Sequence, residues 1–172
     1  SSDLHLVELV RKEGAQITVS DINKESLDYA VKNYGATVVD GSDIYSVGAD
    51  IFAPCALGAI LNTENINSLN CSIIAGAANN QLAEEEEHGI LVKQKGLLYA
   101  PDFLINAGGL INVYSEHIGY NRENAMRDTE KIFDTTLNIY KLAEAQNIHT
   151  QKAATLLAQK RIDDILSVQS TY

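Results

Sequence analysis

Five short apolar runs, each followed by a segment of roughly helical length, constrain the fold of this 172-residue chain more than any other feature. They are Ile17-Thr18-Val19-Ser20, Ala36 to Val39, Asp50-Ile51-Phe52-Ala53, Ser72-Ile73-Ile74-Ala75 and Gly96-Leu97-Leu98-Tyr99-Ala100. Runs this short, with little polar alternation, suit strands buried on both faces, the pattern of a parallel sheet. Parallel neighbours need a crossover between them, and the intervening segments are long enough to provide one. The expected class is α/β, with a doubly wound parallel sheet.

The helix signals agree with that reading. Leu4, Leu6, Val7, Leu9 and Val10 form an opening helical pattern that Gly14 stops, and a polar helix from about Lys24 to Tyr34 closes at Gly35. After about Asn106 only helices are expected. Asn121 caps a long one with an apolar stripe of Met126, Phe133, Leu137 and Tyr140, and Asn147 suits its left-handed exit. Thr150 is the cap expected for a last helix carrying Ala153, Ala154, Leu157, Ile162 and Ile165. The acidic run Glu84 to Glu87 reads as a solvated first turn, where carboxylates favour the helix dipole. The chain divides into a unit over residues 1–146 and a C-terminal helical segment, 147–172.

Composition narrows the partners. A hydrophobic share of 45% supports a full core, and a formal charge of −10 argues against nucleic acid or an anionic membrane surface. A dinucleotide stays compatible, because its pyrophosphate is held by local amides rather than by net charge. No run approaches ~18 apolar residues and no basic-then-apolar leader opens the chain, so a soluble, cytoplasmic protein is expected. Cys55 and Cys71 lack ligand spacing, as do His5, His88, His117 and His149, so no metal site is expected and the histidines read as structural or surface.

Ligands of an open parallel sheet bind beyond the carboxyl ends of its strands. Four such ends carry candidates. Asp21 follows the first strand; it is either an acid for the adenosine ribose hydroxyls of a dinucleotide or a cap for the next helix. Ala53-Pro54-Cys55-Ala56 follows the third. Gly76-Ala77-Ala78 follows the fourth and lets a flat ring approach the backbone, with Asn79 and Asn80 as donors and acceptors; a tight turn with an Asn helix cap is the alternative. Asn106-Ala107-Gly108-Gly109 follows the last strand, as a polar contact or as a cap before close helix packing.

Taken in order, Asp21-Ile22-Asn23, Asp50 to Ala59, Ala75 to Leu82, Tyr99-Ala100-Pro101-Asp102 and Ile105 to Val113 resemble the leucine/phenylalanine/valine dehydrogenase family of amino-acid dehydrogenases. Gly119 to Arg122 and Ala153 to Ile162 continue the resemblance. It implies a Rossmann-like domain that lacks its first strand and glycine loop and is followed by C-terminal helices. It implies NAD as cofactor and reversible oxidative deamination of an L-amino acid, leucine or another branched-chain one, to its 2-oxo acid and ammonia. By resemblance, Asp21, Ile22, Ala53, Pro54, Cys55, Ala77, Ala78, Asn79 and Asn106 contact the cofactor. Asn80, Asn106, Leu110 and Val113 contact the substrate, and Leu110 and Val113 share a helix face three residues apart.

The family's catalytic domain, with its lysines and aspartate, is expected to lie outside this chain, so no catalytic residue is assigned within it. The parent is expected to be a homo-oligomer. A stand-alone nucleotide-fold binding module without catalysis is the competing expectation, and a phenylalanine- or valine-specific member of the family is another.

Overall fold

The computed structural model describes residues 2–117 and 119–169. All five strand runs form, each centred on two residues: β1 Thr18–Val19, β2 Thr37–Val38, β3 Ile51–Phe52, β4 Ile73–Ile74 and β5 Leu98–Tyr99. Among them lie α1 Ser2–Lys12, α2 Lys24–Tyr34, a 3₁₀ turn at Asp43–Ser46, α3 Thr63–Ser68 and α4 Glu85–Gln94. Then come α5 Asp102–Ile105, α6 Gly108–His117, α7 Arg122–Gln146 and α8 Thr150–Gln169. No described helix is long and apolar enough to cross a membrane.

Every pairing is parallel, but the strands fall into two sheets, β1-β2 and β3-β4-β5. The facing edges of β1 and β3 are bare. Ile17 and Val19 carbonyls accept from Thr37 and Val39, so the backbone groups of Thr18 and Ser20 turn away from β2. Asp50 and Phe52 carbonyls accept from Ile73 and Ala75, so those of Ile51 and Ala53 turn away from β4. A cleft of about 900 Å³ separates the two edges, lined by Val10, Ile17, Val19, Leu27, Ile51 and Phe52 among others.

The core gathers around β4. Ile74 packs with Leu61, Ile66, Leu69, Leu82, Val92, Leu97 and Tyr99, all buried. A second cluster joins Ile139 and Ala143 of α7 to Ala153 and Ala154 of α8. Here the expected stripe on α7 is corrected. Met126, Phe133 and Leu137 are exposed, at 54%, 69% and 39%, and only Tyr140 of that set packs against the cluster. The buried face runs through Ala125, Ile139 and Ala143, one position out of step. One residue is about 100° of helix rotation, and the small alanines let α8 approach closely where the large side chains would not. Ile162 and Ile165 of α8 are likewise exposed.

Helix ends are set by local polar groups. Asn23, Asn62 and Asn121 accept from the amides of Ser26, Asn65 and Asn124, and Gly35 and Asn147 close α2 and α7 in the left-handed region. Thr150 is not the cap of α8 but its first residue; the His149 ring takes the Lys152 amide at 3.3 Å instead.

His149 also ties α8 to α4. Its ring is buried, its Nε2 lies 3.3 Å from Glu86, and Lys152 donates to the same carboxylate at 3.0 Å. A Cβ on Gly89 would sit 2.4 Å from the His149 ring, so this glycine is what admits the ring. The acidic run of α4 is solvent-exposed as expected, with Glu86 bridging outward.

Lys152 first and His149 second hold the Glu86 carboxyl below its ordinary value of 4.5. A lowered carboxyl adds stability above its unfolded pKa, and that stability is lost as pH falls through the folded value. Glu86→Gln should therefore melt below the wild type at neutral pH, and the gap should close as pH drops below 4.5. A gap constant down to strong acid would show that the bridge contributes nothing to stability.

Candidate functional site

The carboxyl ends of β3, β4 and β5 are stitched together by backbone and amide contacts. Pro54, just after β3, accepts the Ala78 amide at 2.9 Å. Gly76 lies so close to Pro54 that a Cβ there would be 2.1 Å from its carbonyl oxygen and 2.4 Å from its nitrogen. Glycine is therefore required by space, not by backbone angle. The loop 76–81 folds back on itself through Gln81, whose buried Nε2 donates to the Gly76 and Ala78 carbonyls at 2.7 and 2.9 Å.

Asp102, the first residue of α5, joins that loop to the end of β5. Its Oδ2 accepts the Gln81 amide at 2.9 Å and its Oδ1 accepts the Phe103 amide at 2.8 Å. At the far end of α5, Asn106 donates to the Ala77 carbonyl at 3.3 Å and to the side-chain oxygen of Asn79. Asn80 has a φ of 52°, and its carbonyl accepts the Ala59 amide at 2.7 Å. A left-handed Asn here turns the loop before Gln81 re-enters the core. Neither Asn79 nor Asn80 caps α4, which starts after Glu84.

Of the residues expected at the site, Ala77, Asn79 and Asn106 are brought into direct contact, and Ala53 is exposed. Pro54 and Ala78 are buried and act as joints between the loops. Cys55 and Ala53 line the large cleft together with Asp21, so the ends of β1 and β3 open onto one space. Asp21 accepts the Asn23 amide at 2.8 Å and stays at the surface, while Asn23 does the capping of α2. Ile22 beside it is fully exposed.

On α6, Leu110 and Val113 are exposed at 73% and 61%, so neither belongs to the core of this chain. Leu110 borders a hollow of about 420 Å³ between α6 and α7, with Tyr114, Asn121 and Ala125; Val113 lies outside its lining.

Two residues that organise the site carried no role in the sequence reading, Gln81 and Asp102. The legible signal for Asp102 was its position one residue after Pro101 at a strand end, where a carboxylate has amides to accept. Burial is the main reason the Tyr99 phenol is pushed above its ordinary range, and the Asp102 charge adds to it. No group of three or more His, Cys, Asp or Glu suited to a metal ion occurs among the described residues. His88 is buried and engaged with Thr63 and the Glu84 amide.

All its strand pairings are parallel and polar residues gather at the strand ends, where ligands of open parallel sheets bind. The profile of the Glutamate/Leucine/Phenylalanine/Valine dehydrogenase family matches residues 2–169, and the chain belongs to that family. It is 49% identical over 163 residues to a leucine dehydrogenase of Thermoactinomyces intermedius, covering 95% of this chain and 44% of that protein. It is 48% identical over 155 residues to an L-tryptophan dehydrogenase of Nostoc punctiforme, covering 90% of this chain and 44% of that one. The chain thus spans less than half the length of these relatives.

The crystal structure of L-tryptophan dehydrogenase from Nostoc punctiforme superposes with a TM-score of 0.90 at 48% identity, over 93% of this chain and 48% of that one. A hetero-hexameric glutamate dehydrogenase from Thermus thermophilus shares the fold, with a TM-score of 0.63 at 17% identity, over 98% of this chain and 52% of that one.

Gly76→Ala should force β4 away from Pro54 and lower stability by about 1–3 kcal/mol, the usual cost of overpacking, or more. Thermal melting reads the loss; an unchanged melting temperature would mean the two loops separate without cost.

Proposed function

We propose that this chain is the dinucleotide-binding part of an NAD-dependent L-amino-acid dehydrogenase whose substrate is leucine or another branched-chain amino acid. The reaction is reversible oxidative deamination to the 2-oxo acid and ammonia, and NAD, when bound, supplies the hydride acceptor. The observation that carries this reading is the Asn79–Asn106 pair, held at adjoining strand ends beside small residues, within a fold whose other open strand end bears an exposed carboxylate.

The residues fit a dinucleotide. Asp21 is spared from capping by Asn23, so its carboxylate is available to ribose hydroxyls and repels a 2′-phosphate. Ala53, Pro54 and Cys55, with Ala77, Ala78 and Asn79, form the wall on the nicotinamide side, where the absence of bulk lets a flat ring lie against backbone. Asn106 stands between that ring and the substrate, Asn80 faces the substrate, and Leu110 with Val113 offers its side chain an apolar surface. Both are exposed in this chain, which suits a pocket wall completed by another part of the protein.

The two sheets read as the wings of one doubly wound, Rossmann-like sheet. One further parallel strand between Thr18-Ser20 and Ile51-Ala53 would satisfy both bare edges, and a glycine turn at its end would meet the pyrophosphate. We assign residues 1–146 to the cofactor unit and 147–172, which includes α8, to a segment that packs on it or on a catalytic domain. The exposed Leu156, Ile162, Ile165 and Leu166 of that helix suit contact with a catalytic domain or a second subunit of a homo-oligomer in the cytoplasm.

Among the described residues no lysine lines either the cleft or the hollow, which supports assigning the acid–base chemistry to another part of the protein. The purified chain should accordingly form no NADH from L-leucine. Steady turnover by the chain alone would refute that division of labour.

The assignment of Asp21 is tested in the intact dehydrogenase. Asp21→Ser should narrow the preference for NAD over NADP by at least about tenfold, the equivalent of 1.4 kcal/mol. An unchanged ratio of catalytic efficiencies would place Asp21 away from the ribose. In the same enzyme Leu110→Ala should move selectivity toward larger side chains by roughly 1–3 kcal/mol, read on a panel of amino acids. Loss of thermal stability with an unaltered panel would remove Leu110 from the pocket.

A further inference from the structure

We infer that Asp102 is a positioning residue: from the end of β5 it fixes the register between Asn79 and Asn106, and so the polar edge of the cofactor site. Its functional meaning rests on the site proposed above; the structural claim does not.

The geometry points to Asp102 from two sides. Asp102 is 4% exposed; its carboxylate holds the Gln81 amide at 2.9 Å, and the Gln81 side chain in turn clamps the Gly76 and Ala78 carbonyls. Asp102 therefore fixes the backbone of Gln81 at one end of the 76–81 loop, and the Gln81 side chain ties the other end back to it, with Ala77 and Asn79 carried between. From the other side, the Asp102 carbonyl accepts the Asn106 amide at 3.0 Å across the single turn of α5. One residue thus anchors the two strands of chain that bring Asn79 and Asn106 together.

The carboxylate is the right group for this task. Two backbone N–H groups, of Gln81 and Phe103, converge on its two oxygens, and each needs an acceptor. An amide of the same shape can serve only one of them and turns a donor toward the other. A buried charge also costs free energy unless it is fully hydrogen-bonded, so the arrangement penalises any loop position that leaves the Gln81 amide out of reach.

Hydrogen exchange and side-chain amide resonances of the chain, compared between the wild type and Asp102→Asn, test the inference without any ligand. The expected result has two parts. Exchange at the Gln81 amide rises by about tenfold or more relative to the Ala100 amide, which bonds Ile74 on the neighbouring strand β4. The Asn106 side-chain NH₂ resonances also move toward those of a solvent-exposed asparagine.

Exchange rising equally at Gln81 and Ala100, with the Asn106 side chain unmoved, would reduce Asp102 to general stability and overturn the inference. If Asp102→Asn does not fold, Asp102→Ser keeps an acceptor for Phe103 but cannot reach Gln81, and the same two outcomes decide. Failure of the proposed function would appear separately, as absence of NADH binding by the intact dehydrogenase, and would leave these readouts unchanged.

Discussion

Removing a carboxylate from water is costly unless its oxygens are met by donors, and Asp102 meets this condition with two backbone amides. The rest of the site follows from that contact. Gln81 is drawn into the core, its side chain closes the loop after β4, and the loop passes against Pro54 at a distance that only glycine at position 76 permits. Three strand ends already joined by the core beneath them become one rim. Asn79 and Asn106 meet on that rim because their backbones are fixed, and any site that has to orient a ligand needs such fixing.

The sheet imposes a second constraint. In a parallel ladder alternate residues bond to opposite neighbours, so β1 and β3 each satisfy one side and leave the other unpaired. The apolar lining between them, with Ile51 half exposed, is what a further strand would bury. Asp21 and Ala53 both line this cleft, so the bare edges of the two sheets and the residues after β1 and β3 open onto one space.

Much of this was legible in the sequence. The five strand runs are short and mostly apolar, four of them with β-branched residues, a local signal that survives tertiary context, and all five form where expected. The caps at Asn23 and Asn121 and the left-handed exits at Gly35 and Asn147 are also local and also occur. The face of α7 was not legible: Met126, Phe133 and Leu137 repeat at helical spacing as convincingly as Ala125, Ile139 and Ala143. Only the approach of α8 decides for the smaller set. The joints at Gln81 and Asp102 escaped for a similar reason. Their partners lie 21 residues apart in the chain, and no periodicity encodes a contact between two loops.

The separation of roles within the short segment from Asp21 to Asn23 shows how a single hydrogen bond redirects a residue's chemistry. Asn23 takes the helix cap, and Asp21 is left at the surface with its charge directed to the opening of the cleft. The central claim, that the strand ends of this chain form a dinucleotide site, is tested most directly by following backbone amide resonances of the chain during titration with NADH. Shifts confined to 21–23, 53–56, 77–80 and 106–109 are expected. Shifts concentrated on α7 and α8, with those four segments unmoved, would contradict it.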